Sequence, residues 1–314
     1  MPETIAAAAA VLRRGGLVAF PTETVYGLGA DAADGEAIAA LYAAKGRPRF
    51  NPLIAHLPDA GAAARQGRFD ADAARLAAAF WPGPLTLVVP AATGCTVALL
   101  ARAGLDTVAL RVPAHPVAQA LLAAFGGPIV APSANRSGRV SPTAADHVVA
   151  DLDGRIDLVL DGGPTTVGVE STIVACLGDG RPRLLRPGGI ARAEVERVLG
   201  RPLASPPAKE GAPQAPGMLP SHYAPRARLR LGATDARSAE AILRFAGVPA
   251  DAGSRSAVLD LSPGGDLAEA AANLFGHLRA LDASGAAVIA VGPVPADGLG
   301  EAINDRLARA AAPR

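Results

Sequence analysis

Along residues 1–200, short apolar runs recur, and most of them empty into a loop of glycine, proline and hydroxyl residues. They are Leu17–Phe20, Pro52–Leu57, Leu85–Val89, Thr107–Val112, Pro128–Ala131, Ile156–Leu160 and Val169–Ala175. Runs this short are strands rather than helices. Most of the segments between them are alanine-rich and helical. A helix over Ile5–Arg14 starts at Thr4 and stops at Gly15-Gly16, and another runs from Asp34 to Ala44. Residues 59–66, 70–80, Pro116–Phe125 and Glu194–Leu199 read the same way, and Ser141-Pro142-Thr143 opens one more helix with a cap and an N1 proline. Strands alternating with helices require a sheet covered by helices, so the fold class is α/β.

Arg201–Pro225 breaks the pattern with seven prolines and little periodicity, the signature of a linker. Within it, Pro216-Gly217-Met218-Leu219-Pro220-Ser221-His222-Tyr223-Ala224-Pro225 is too rich in His, Tyr and Met for a plain spacer. Beyond it the alternation resumes. Strands are expected at Leu229–Leu231, Ala257–Leu261 and Ala287–Val291, with helices over Thr234–Phe245, Asp266–Leu281 and Gly300–Ala310. Three βα units make a small parallel-sheet, Rossmann-like domain. The expected division is residues 1–200, a linker at 201–226, and a second domain at 227–314.

Half of the residues are hydrophobic but only 4% are aromatic, so the core has to be built from Ala, Val and Leu. The net charge of +1 argues against a dedicated nucleic-acid surface. Cys95 and Cys176 lack metal-site spacing, which excludes a cysteine-rich zinc site and fits a reducing compartment. The N-terminus has no basic signal-peptide region, and no apolar run approaches the roughly 20 residues of a membrane span. The expectation is a soluble cytoplasmic protein with no membrane partner.

The strand-end loops carry the chemistry. Lys45 and Lys209 are the only two lysines among 30 basic residues. Lys45 opens Lys45-Gly46-Arg47-Pro48-Arg49-Phe50-Asn51-Pro52, which ends in the apolar run that contains His56. A compact ammonium in an arginine background points to an anion site, and a solvated basic turn is the alternative. Arg111, inside the apolar Val-Ala-Leu-Arg-Val-Pro, has to meet an anion or lie at an edge. Thr22 and Thr24 follow the first strand, and Ser133 and Asn135 follow the run ending at Ala131. Before the linker there is no phosphate-binding glycine loop, dinucleotide fingerprint, zinc helix or nucleophile elbow. Glu23 and Glu170 are single carboxylates, which leaves no acid/base pair. The inventory suits positioning and neutralising an anionic substrate rather than covalent catalysis.

Taken together, Pro21-Thr22-Glu23-Thr24-Val25-Tyr26-Gly27-Leu28, Lys45-Gly46-Arg47-Pro48 with Asn51-Pro52 and His56, Trp81-Pro82-Gly83-Pro84-Leu85-Thr86, Leu110-Arg111-Val112-Pro113, Pro132-Ser133-Ala134-Asn135 with Ser141-Pro142-Thr143, and Glu170-Ser171-Thr172-Ile173 with Arg186-Pro187-Gly188 resemble the YrdC family. The linker with His222-Tyr223-Ala224-Pro225 and the second domain are similar to its long two-domain form.

The resemblance implies a large twisted mixed α/β sheet with a cationic cavity, and a linker that acts as a strap over the active site. It implies condensation of L-threonine, bicarbonate and ATP to threonylcarbamoyl-AMP and pyrophosphate, for the threonylcarbamoyladenosine modification of tRNA. Thr22, Thr24, His56, Arg111, Ser133 and Ser171 would then hold threonine or its carbamate. Arg47, Asn51, Thr107, Asn135, Thr143, Arg186 and Tyr223 would hold ATP, and Lys45 with Arg47 would face the reacting groups. Mg²⁺ accompanies the nucleotide, with no protein metal site assigned. A downstream tRNA-modifying transferase complex and a weak RNA contact complete the expected partners. An RNA-binding module is the competing class, disfavoured by the charge and the few aromatics.

Overall fold

The structure, a computed structural model, describes residues 2–178, 180–204, 222–248 and 257–313. Most of the expected linker, residues 205–221, lies outside the described residues, and Lys209 with it. The chain begins with α1 (Pro2–Arg13), β1 (Val18–Pro21), β2 (Tyr26–Asp31), α2 (Gly35–Lys45), β3 (Ile54–His56), α3 (Ala60–Gln66) and α4 (Ala71–Phe80). There follow β4 (Leu85–Pro90), β5 (Thr107–Arg111), α5 (Pro116–Phe125), β6 (Ile129–Val130), α6 (Ala145–Leu152) and β7 (Leu158–Val159). After β8 (Thr172–Ala175), β9 (Arg183–Arg186) and α7 (Arg192–Leu199) come β10 (Arg228–Arg230), β11 (Ala241–Arg244), β12 (Val258–Asp260), α8 (Leu267–Ala283), β13 (Val288–Val291) and α9 (Gly300–Ala311).

Nine strands form one mixed sheet in the order β7-β1-β2-β6-β3-β5-β4-β8-β9, and four form a second, all-parallel sheet in the order β10-β13-β11-β12. The two-sheet α/β architecture agrees with the sequence reading. An Ala, Leu and Val core packs α2, α3, α4 and α7 on the large sheet, while α1 and α5 form a separate core with β1 and β6.

Three local expectations differ from the structure, each for a physical reason. The loop expected after Pro21 gives way within five residues to β2, which pairs antiparallel with β1. Glycines hide this strand in the sequence: a Cβ on Gly29 would lie 2.8 Å from the Phe20 ring, so close packing requires the missing side chain. Ser141 does not cap a helix, and α6 starts at Ala145 without a side-chain cap. Its hydroxyl is drawn instead to Glu170. The helix expected over Thr234–Phe245 is replaced by β11, which lies between β13 and β12. A short apolar run at the centre of a parallel sheet has no periodicity that separates strand from helix.

The second domain docks on the loops at the mouth of the first. Val25, Val140, Val169 and Tyr223 belong to the same apolar cluster as Leu274, Phe275 and Leu278 of α8. Gly168 has φ +74, and a Cβ there would come within 2.3 Å of the Ala271 carbonyl of α8. Both backbone conformation and space therefore demand glycine. Gly168→Val should destabilise the chain by roughly 1–3 kcal/mol, the usual cost of overpacking, read as a lower urea midpoint. An unchanged midpoint would contradict this packing.

Candidate functional site

The site is built where strands of the large sheet end. In the parallel β3–β5 pair, His56 lies in register with Arg111, which brings the two side by side. Ser133 bridges to Gly27 of β2, and Arg186 pairs with Ile173 of β8, two residues past Ser171. These ends enclose a cavity of about 40 Å³ lined by Thr24, Arg47, His56, Arg111, Ser133, Glu170, Ser171, Arg186, His222 and Tyr223 among others.

Arg111 is buried and anchored on the protein side. Its Nη2 donates to Glu23 Oε1 at 2.7 Å and its Nη1 to Thr24 Oγ1 at 2.9 Å. The Thr22 hydroxyl donates to the Val25 carbonyl at 2.7 Å, so the Thr24 hydroxyl is the donor in their 2.8 Å contact. Thr22 thus orients Thr24 rather than facing the cavity. Ser171 shares a 2.7 Å hydrogen bond with Thr86, and its carbonyl accepts from Arg186 Nη2 at 2.8 Å. Arg47 donates to the Pro52 carbonyl at 3.0 Å.

Lys45, read from the sequence as opening a cationic loop, belongs instead to a helix. It is the last residue of α2, whose stop is Gly46 in the left-handed region. Its ammonium is buried and donates to the carbonyls of Ser133, at 2.5 Å, and Asn135. Lys45 therefore fixes the Ser133–Asn135 loop from behind the cavity lining. Burial, then the neighbouring Arg47, push it well below its ordinary value. Burial also brings Arg47 down to about 10.

Four other residues singled out in the sequence lie off the cavity lining. Asn51 and Asn135 are buried beside Arg47 and Lys45, each with an Oδ1 that has no partner among the described residues. Thr107 begins β5, four residues and about 13 Å of strand upstream of Arg111, paired with Pro90. Thr143 turns to His147 and lies near Gly276 of α8. Ser141 of the same triplet is also off the lining, but its hydroxyl donates at 2.5 Å to Oε1 of Glu170, which lines the cavity.

Sequence reasoning missed Arg306, on α9. It is fully buried, with Nε 2.8 Å from Glu170 Oε2 and its guanidinium carbon 5.3 Å from the Tyr223 ring centre. Nothing near Arg306 in the sequence marks it, except that an arginine stands on the apolar stripe of an amphipathic helix. His222 and Thr86 were inside quoted motifs but carried no assigned role. Burial raises the Glu170 carboxyl, but Arg306, Arg186 and the Ser141 hydroxyl outweigh it and hold it below the usual carboxylate range.

The arrangement defines a class: an α/β protein whose strand ends gather buried cations and hydroxyls around one cavity. Residues 10–188 match the Sua5, YciO and YrdC family, described as "Telomere recombination", and residues 190–312 match "Threonylcarbamoyl-AMP synthase, C-terminal domain". The threonylcarbamoyl-AMP synthase of Bacillus subtilis is 44% identical over 99% of this chain and 93% of its own length. That of Schizosaccharomyces pombe is 37% identical over 94% of this chain and 84% of its own. The crystal structure of Pyrococcus abyssi Sua5 complexed with L-threonine superposes with a TM-score of 0.89 at 39% identity, covering 99% of this chain and 95% of that one. The chain belongs to the Sua5/YciO/YrdC family, in its two-domain threonylcarbamoyl-AMP synthase form.

Burial pushes His56 and His222 down to about 3, with Arg111 adding to His56 and Arg47 to His222. Both rings stay neutral in the folded chain but protonate near 6.5 once unfolded. Between pH 3 and 6.5 the unfolded chain binds more protons, so stability is complete above 6.5 and falls as the pH drops. At pH 5 the loss is about 2 kcal/mol per histidine. Urea midpoints at pH 7.5 and 5.0 should differ accordingly, and His56→Gln should shrink the difference. Equal midpoints at the two pH values would contradict this.

Proposed function

We infer that the chain is a threonylcarbamoyl-AMP synthase, a nucleotidyltransferase that joins L-threonine, bicarbonate and ATP. The observation that carries this reading is the set of buried Arg47, Arg111 and Arg186 on one small cavity wall, beside neutral histidines and hydroxyls. The threonine amine adds to bicarbonate with loss of water, giving a carbamate. A carbamate oxygen then attacks the α-phosphorus of ATP and pyrophosphate leaves. Neither step needs a protein nucleophile. Both need anions held side by side, which is what fixed cations supply.

Thr24, oriented by Thr22, takes the threonine end with His56, Arg111, Ser133 and Ser171. Arg47, Arg186 and Tyr223 take the nucleotide. The Oδ1 atoms of Asn51 and Asn135, without a partner among the described residues, are assigned to the nucleotide as well, since a base amino group or a ribose hydroxyl would satisfy them once the cavity opens. Lys45 serves catalysis by setting Ser133 and Asn135. Ser141 rather than Thr143 carries the triplet's contribution, and Thr107 is left outside the site.

The carboxylates near the cavity do not fit a protein-held Mg²⁺. Glu23 is engaged by Arg111 and Glu170 by Arg306, and no cluster of three potential metal ligands occurs among the described residues. Mg²⁺ enters with the ATP phosphates, and no step is assigned to it.

We assign catalysis to residues 1–200 and a connecting strap to 201–226, with 227–314 as the second domain. His222 and Tyr223, at the end of this strap, line the cavity, so movement of the strap would open the cavity to ATP. Reclosure would keep water from the labile carbamate. No helix among the described residues is long and apolar enough to cross a membrane. Cys95 and Cys176 are free thiols, in keeping with the cytoplasm. The product passes to a tRNA-modifying transferase complex, with RNA itself at most a weak contact.

Pyrophosphate release from ATP and bicarbonate should depend selectively on threonine when each amino acid is added in turn. Lys45→Ala and Arg47→Ala should each lower it by about 10- to 100-fold, the worth of one charge-assisted contact. Equal release with every amino acid would overturn the reading. Tyr223→Ala should raise the KM for ATP more than that for threonine, and an unchanged ATP affinity would remove Tyr223 from the nucleotide side.

A further inference from the structure

The second domain sends two arginines into the walls of the first. Arg279 of α8 donates through Nη2 to the Val140 carbonyl and, at 2.8 Å, to Asp151, with its Nε 3.4 Å from the Ser141 carbonyl. Arg306 of α9 meets Glu170 Oε2 at 2.8 Å and Asp305 at 2.7 Å. Glu170 in turn accepts from Ser141, so the two arginines grip opposite ends of one chain of contacts.

The same helix end holds the segment after the linker. The His222 amide donates to the Arg309 carbonyl at 3.2 Å, and Arg309 is tied to Asp305 at 2.9 Å. The Tyr223 ring contacts Arg306, 5.3 Å from its centre, Phe275, stacked at 5.5 Å, and the His222 ring, 4.2 Å away. Tyr223 has φ +64, a conformation a tyrosine keeps only when its surroundings enforce it. Those surroundings include residues of the second domain.

We propose that Arg306 is a positioning residue for the synthase cavity, a latch by which the second domain sets Glu170 and Tyr223. It does not line the cavity and acts through those two side chains, so its role differs from that of Arg47 or Arg186. A planar guanidinium suits the post, since it pairs with a carboxylate along its edge and packs its face on a ring, which an ammonium cannot do at once. The inference rests on the synthase reading for its kinetic consequence, but not for its structural one.

The test uses the full chain with Arg306→Met and Arg306→Lys. Two quantities are read: the KM values for ATP and threonine, and amide hydrogen exchange at His222 and Ala224. Arg306→Met should raise the KM for ATP at least fivefold, with the KM for threonine within twofold and kcat within threefold. It should also speed exchange at both amides at least tenfold, and Arg306→Lys should fall between it and the unsubstituted chain. A merely structural loss would lower kcat with the folded fraction and leave both KM values alone. If Arg306→Met does not fold, Arg306→Gln, which keeps a donor toward Glu170 but loses the charge, is read for the same two quantities with the same expectations. Unchanged exchange together with an ATP KM within twofold would overturn the latch. Absence of threonine-dependent pyrophosphate from the unsubstituted chain would overturn the synthase reading instead, and the exchange rates would still decide whether Arg306 holds the segment.

Discussion

Everything at the cavity follows from the crowding of buried basic side chains, each held by a carboxylate or a backbone carbonyl. Lys45, Arg47, Arg111, Arg186 and Arg306 are all under 9% exposed, while the buried carboxylates beside them are Glu23 and Glu170. Those two are spent on Arg111 and Arg306. Lys45 and Arg47 face backbone carbonyls, and Arg186 grips the carbonyl of Ser171. A carbonyl satisfies a donor but does not cancel a charge. Hydrogen-bond donors and guanidinium groups are thus concentrated in a medium of low dielectric, where an anion gains most.

Burying such groups is costly, and the fold spreads the cost. Carbonyls are free to accept at strand ends because the ladder stops there, and the mixed sheet brings several ends together. The histidines add nothing to the charge, since burial keeps His56 and His222 neutral. They keep the wall polar without repelling the guanidinium groups further. This division between charged arginines and neutral rings suits a site that collects a carboxylate, a bicarbonate and a triphosphate without a nucleophile of its own.

The sequence made the strand-end loops legible because hydroxyl residues, proline and glycine cluster after apolar runs, and because Arg111 stands out in an apolar strand. It could not show that Lys45 points behind the lining, since side-chain direction at a helix end depends on the loop it meets. β2 was concealed because Gly27 and Gly29 remove the strand-forming side chains that mark such a segment, and they do so to let Ala131 and Phe20 approach. Ser141 looked like a helix cap because a cap and a carboxylate-binding hydroxyl are the same chemistry. Only the position of Glu170 decides between them.

Arg306 was the least legible residue of all, and the reason is distance along the chain. Its partner Glu170 precedes it by 136 positions and belongs to the other domain. An amphipathic helix with an arginine on its apolar stripe reads as imperfect packing until the opposite wall is known. Once Glu170 and Tyr223 are placed, that arginine is what the wall needs, because removing it would strand a buried carboxylate against Ser141 and leave the tyrosine's left-handed backbone without its support. The second domain is thus joined to the cavity through charge and ring contact as well as through apolar area. That joint also explains why Val25, Val140 and Val169, from loops of the first domain, share an apolar cluster with α8. The cluster excludes water from the arginine–glutamate pair, and in a dry contact that pair can hold one geometry.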